Sequence, residues 1–137
     1  MTRYIALIDG EPGAFGAVFP DLPGCTAMGT TMDEALVNAT EALRDFVETA
    51  RAHGEAVPAP RSMERLRQDE PDVREALAHA ASLASVALIE DLARPVKANL
   101  SLDSGVLAAI DAAAERLRIT RSATVEMLAR RYIAEIS

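Results

Sequence analysis

The chain has 137 residues, 50% hydrophobic and 26% charged, which suffices for one ordinary domain or two small ones and excludes disorder throughout. A single cysteine, Cys25, excludes an intrachain disulfide and a multi-cysteine metal site, and no apolar run is long enough to span a bilayer, so a soluble, cytoplasmic protein is expected. The net charge of −7 argues against nucleic acid until it is divided: residues 1–94 hold eight Lys plus Arg against sixteen Asp plus Glu, and residues 95–137 hold six against five, so the two parts suit different partners.

In chain order, "RYIALID" (Arg3 to Asp9) and "AFGAVF" (Ala14 to Phe19) have strand composition and flank a five-residue turn, "DGEPG", in which Asp9-Gly10 offers the positive φ of a tight connection. "PDLPG" forces a second reversal, because Pro20 and Pro23 fix φ and Gly24 tolerates a left-handed backbone. A third, antiparallel strand over "CTAMGT" follows, with Cys25 a small packing residue. The period then turns helical at Thr31, which with Glu34 has the spacing of a capping box. Ala35, Leu36, Ala39, Leu43, Phe46, Val47 and Ala50 make one apolar stripe to lay on the sheet, and Gly54 is a natural stop.

Pro58, Pro60 and Pro71 punctuate a charged stretch, read as a loop with one short helix. "DVREALAHAA" has helical composition and "SVALIEDL" that of a fourth strand returning to the sheet. Arg94-Pro95 marks the expected domain boundary. Beyond it, "VKANLSL" (Val96 to Leu102) reads as a strand. A helix opens at Asp103 or Ser104 with Leu107, Ile110, Ala114 and Leu117 inward, "RIT" breaks it, and a second helix starts from Thr120 as N-cap. Val125, Leu128, Ala129, Tyr132 and Ile133 form the buried stripe of that helix.

One strand and two helices are too few to fold alone, and a lone strand has an unpaired edge. A second copy solves both problems by antiparallel pairing across a two-fold axis, and this strand-helix-helix order resembles the ribbon-helix-helix transcription regulators. A two-stranded ribbon fits the major groove of DNA. With Val96, Ala98, Leu100 and Leu102 facing the helices, alternation turns Lys97, Asn99 and Ser101 outward: Lys suits guanine acceptors, Asn suits adenine and Ser suits either. The bland alternative is that they are solvated residues of an edge strand. "TRSAT" (Thr120 to Thr124) opens a helix with free amides and hydroxyls, as a phosphate site does. By the same resemblance Thr120, Arg121 and Ser122 clamp the DNA backbone, although capping alone would also account for Thr120.

The front has a resemblance of its own. "GAFGAVFPDLPGCTAMGTTMDEALVNATEAL" (residues 13–43) looks like the hallmark of the HicB antitoxins: a strand ending in "FPDLPG", a short strand, then "T-x-x-E-A-L" opening a helix. The resemblance implies an α+β fold, in which a small antiparallel sheet with a covering helix (partial RNase H-like) is followed by a dimeric ribbon-helix-helix domain. The division is 1–94, with a linker over about 54–82, and 95–137. It implies an antitoxin that masks a small basic ribonuclease of the HicA type and represses its own operon by binding operator DNA. The protein pairs through residues 95–137, and contacts between front domains would make it a tetramer. No toxin-contacting residue can be assigned, so Glu11, Asp21 and Glu34 stand as ordinary surface candidates. The alternative is a solitary ribbon-helix-helix regulator whose front senses a ligand or only dimerises. Catalysis is not expected: Asp9 and Asp21 are explained by their loops, and neither His53 nor His79 has a partner at metal or triad spacing, so no cofactor, metal or membrane enters the reading.

Overall fold

Alternation along Arg3–Glu11 (β1) decides how the front of the protein is built: Tyr4, Ala6 and Ile8 share one face and are buried. In the computed structural model, which describes residues 1–90 and 94–136, β1 pairs antiparallel with Ala14–Val18 (β2) and with Ser82–Ala87 (β4). Thr26–Gly29 (β3) pairs with β2, giving the order β3-β2-β1-β4. The chain falls into two compact units, Met1–Glu90 and Asp91–Ser137.

The hairpin is tighter than the sequence suggests. Glu11 pairs with Ala14, so the connection is Pro12-Gly13 and not five residues. Gly13 takes the left-handed position at φ +94°, where Pro12 before it presets the turn. Gly10 stays within β1 opposite Phe15 at φ +123°, and a Cβ there would lie 2.2 Å from the Ala14 carbonyl oxygen. The Pro20–Gly24 reversal is closed by the Cys25 amide donating to Leu22 O (2.9 Å) and the Phe19 amide donating to Cys25 O (3.2 Å), which buries Leu22 under the sheet's end.

The long helix Met32–Ala52 (α1) starts as its capping pattern requires. The Thr31 hydroxyl accepts from the Glu34 amide at 3.1 Å, while the Glu34 carboxylate accepts from the Thr30 hydroxyl at 3.0 Å, one residue earlier than in a regular capping box. Of the expected stripe, Ala35, Ala39, Leu43, Val47 and Ala50 are buried, with Leu36 and Phe46 half-buried at its margins. They close a core with Tyr4, Ile8, Ala17, Phe19 and Val86.

Two short helices follow, Met63–Asp69 (α2) and Pro71–Ala78 (α3), and bury Leu66 and Val73. The fourth strand is displaced from its expected place over "SVALIEDL". It begins at Ser82 and ends at Ala87, running Ile8↔Ser82 to Arg3↔Ala87 against β1; residues 91 and 92 of the expected strand lie outside the described residues. Cross-strand fit overrides propensity here, since Arg3 Nε donates to the Ser85 hydroxyl at 2.7 Å and the left-handed Ala80 (φ +71°) detaches the strand from α3.

In the second unit, residues 96–102, expected as a strand, form no hydrogen-bonded strand within one chain, and every one of them is exposed. Ser104–Leu117 (α4) is capped by the Asp103 carboxylate, which accepts from the Gly105 and Val106 amides. Arg118, left-handed at φ +55°, turns the chain into Arg121–Ile136 (α5). The inward stripes are only partly realised within one chain. Ala114 is buried, but Leu117 is 51% exposed, Leu128 37% and Tyr132 48%, because the short elements offer no surface to cover them.

Candidate functional site

The segment 96–102 and the start of α5 hold the residues expected to meet nucleic acid. Lys97, Asn99 and Ser101 are all exposed, and so are the residues that alternate with them: Val96 at 86%, Leu100 at 66% and Leu102 at 44%. Three large apolar side chains in water beside helices with uncovered Leu117, Leu128 and Tyr132 make an apolar surface that one chain leaves unburied.

At the head of α5, the Thr120 hydroxyl accepts from the Ala123 amide at 3.0 Å, so the expected cap is present. The Arg121 and Ser122 amides, the first two of the helix, have no intrahelical acceptor. Arg121 itself is engaged: its guanidinium makes two parallel hydrogen bonds to Asp111 of α4, at 2.7 and 2.9 Å, and these hold the Asp111 carboxyl below its ordinary range. Thr124, grouped in the sequence with the phosphate-facing hydroxyls, is fully buried and donates to Thr120 O at 2.9 Å. It staples the first turn of the helix and does not face solvent.

In the front unit the surface expectations divide. Glu11 is exposed, and Glu34 is spent on Thr30. Asp21 is not a surface residue: its side chain is 4% exposed and accepts from both the Arg61 amide (2.8 Å) and Arg61 Nε (2.6 Å). Arg61 continues to Glu70 at 2.9 Å, and Tyr4 donates its hydroxyl to Pro58 O, so residues 58–61 are strapped to the sheet from two sides. Burial, followed by the Asp21 charge, raises the Tyr4 phenol. No sequence signal could have joined Asp21 to an arginine forty residues away. Cys25 is buried with its thiol pushed up to about 11 by desolvation, which suits packing and not nucleophilic attack.

His53 and His79 each turn Nδ1 to the carbonyl four residues back, Thr49 O at 2.8 Å and Glu75 O at 2.9 Å, and close helix ends. Among the described residues no three His, Cys, Asp or Glu side chains are grouped to hold a metal ion, and no helix is long and apolar enough to cross a membrane.

The arrangement has relatives. The crystal structure of the antitoxin HicB of Burkholderia pseudomallei is 29% identical, with a TM-score of 0.55 over 95% of this chain and 97% of that one. A chain of a HicA3 and HicB3 toxin–antitoxin complex is 26% identical, with a TM-score of 0.52 over 66% of this chain and 99% of its own. The UPF0150 protein Ta0767 of Thermoplasma acidophilum is 36% identical over 58 residues, 42% of this chain and 84% of that protein. The family described as the HicB-like antitoxins of bacterial toxin–antitoxin systems matches residues 4–129, which includes both the strapped sheet and the helices of the tail, and the chain belongs to it.

Proposed function

We propose that the front unit, a partial RNase H-like layer, binds and masks a HicA-type ribonuclease, while the tail pairs with a second copy as a ribbon-helix-helix domain and represses the operon. The observation that carries the DNA half of this reading is the segment 96–102. It is exposed throughout, alternates apolar with polar residues, and runs straight into two helices whose apolar faces are unfilled. Antiparallel pairing of two such segments would satisfy their backbone groups and bury Val96, Leu100 and Leu102 against both sets of helices. Lys97, Asn99 and Ser101 would then line the outer face of the ribbon, over phosphate contacts from the Arg121 and Ser122 amides. The toxin half is supported by family membership, by the likeness to a chain of a toxin–antitoxin complex, and by an acidic front that would attract and orient a basic partner.

Co-expression tests the whole reading. The product of the adjacent reading frame should arrest growth when expressed alone and be relieved by this chain; a neighbour that does neither leaves only a solitary regulator. For the groove assignment, Lys97→Ala and Asn99→Ala should each weaken operator binding by about 1–3 kcal/mol and relax sequence preference at one position. Fluorescence anisotropy against the operator and single-base variants reads both effects, and unchanged affinity in the two variants would return these side chains to a solvated edge.

A further inference from the structure

Beside the buried Cys25, where β3 meets the second half of α1, the front unit carries an open groove of about 300 Å³. Its floor is apolar: Cys25 and Ala50 are buried there, and Ala42 and Phe46, one helical turn apart, form a wall. The rim is acidic. Asp45 lies one helical turn from Ala42 and beside Phe46, and Glu55 also lines the groove, held beside Ala50 by its amide donating to Ala50 O at 2.9 Å. Thr26 and Thr49 add two hydroxyls.

An apolar trough ending in carboxylates fits one kind of side chain, an alkyl stem with a cation at its tip. The unit's own cations leave the groove unfilled. Arg51 is paired with Glu90, Arg61 is bound to Asp21 and Glu70, and the Arg44 contact to Asp45 is a long 3.5 Å pair that leaves that carboxylate 68% exposed. Among the described residues Glu55 makes no ion pair.

We propose that this groove is a socket for a single lysine or arginine side chain projecting from the basic toxin, the stem lying on Phe46 and Ala42 and the cation between Asp45 and Glu55. The proposal rests on the toxin reading above and adds where the partner is gripped. A cation over the face of Phe46 would gain from the ring as well as from the carboxylates. Because the alkyl stem and the Phe46 ring would exclude water from one side of the contact, its contribution should persist at salt concentrations that screen the rest of the acidic surface.

The test is a calorimetric titration of the full-length chain with a catalytically inactive form of the adjacent-frame toxin, at low and at moderate salt. Asp45→Asn combined with Glu55→Gln should weaken binding at least tenfold at both, and Thr49→Trp, which fills the groove from an exposed helix position, should do the same. Glu64→Gln with Glu75→Gln removes equal charge from α2 and α3 and should cost less than threefold. Operator affinity and the circular dichroism spectrum should be unchanged in all three. Binding by the groove variants within twofold of the unaltered chain, or equal losses in the remote pair, overturns the socket. Failure of the unaltered chain to form any complex removes the toxin reading itself.

Discussion

Arg61→Ala is expected to destabilise the front unit by about 3 kcal/mol, because it leaves the Asp21 carboxylate buried with only the residue 61 amide to neutralise it. The figure is at the low end of the range for breaking a buried pair, since Arg61 remains 32% exposed and water can reach its side of the contact. Urea unfolding followed through hydrogen exchange of the β1 amides isolates the effect from the tail. Asp21→Asn on the same background should recover part of the loss by removing the stranded charge. A loss below 1 kcal/mol would mean that the strap over residues 58–61 is held by the Tyr4 bond to Pro58 O and not by the ion pair.

If the tail pairs as proposed, Leu100→Asp is expected to convert the protein from dimer to monomer and abolish specific operator binding. In the paired ribbon each Leu100 goes from 66% exposed to covered, a gain of roughly 1–2 kcal/mol per copy. Two aspartates in the paired ribbon would replace that gain with desolvation and mutual repulsion. The combined change exceeds 3 kcal/mol, so the dissociation constant of the dimer should rise more than a hundredfold. Sedimentation equilibrium and operator anisotropy check the two consequences, while binding of the toxin should survive. An intact dimer with wild-type operator affinity would show that the tail pairs through its helices alone.

The parts of the fold governed by local rules were legible in the sequence. Thr31 with Glu34, the stripe from Ala35 to Ala50 and the stop at Gly54 locate α1 because capping and a 3.6-residue period are properties of adjacent residues. The fourth strand starts three residues before its expected place because "SLASVA" has no strong strand composition. It is a strand because β1 offers it an edge and Arg3 reaches Ser85. The hairpin turn is shorter than its composition suggests for a related reason, since Gly10 has the positive φ of a turn but lies inside the ladder. Of the candidate site, the alternation that would turn Lys97, Asn99 and Ser101 outward is not expressed in one chain, because Val96, Leu100 and Leu102 are exposed beside them. The burial of Asp21, the inward turn of Thr124 and the attachment of Arg121 to Asp111 depend on residues that meet only after folding.

That last attachment would set how the proposed DNA contact of the tail responds to salt. A guanidinium already matched to a carboxylate must leave it to reach a phosphate, and the abandoned Asp111 then gathers a cation of its own while the phosphate sheds one. The exchange is nearly neutral in ions, so Arg121 would hold the backbone without adding its full share to the salt sensitivity of binding.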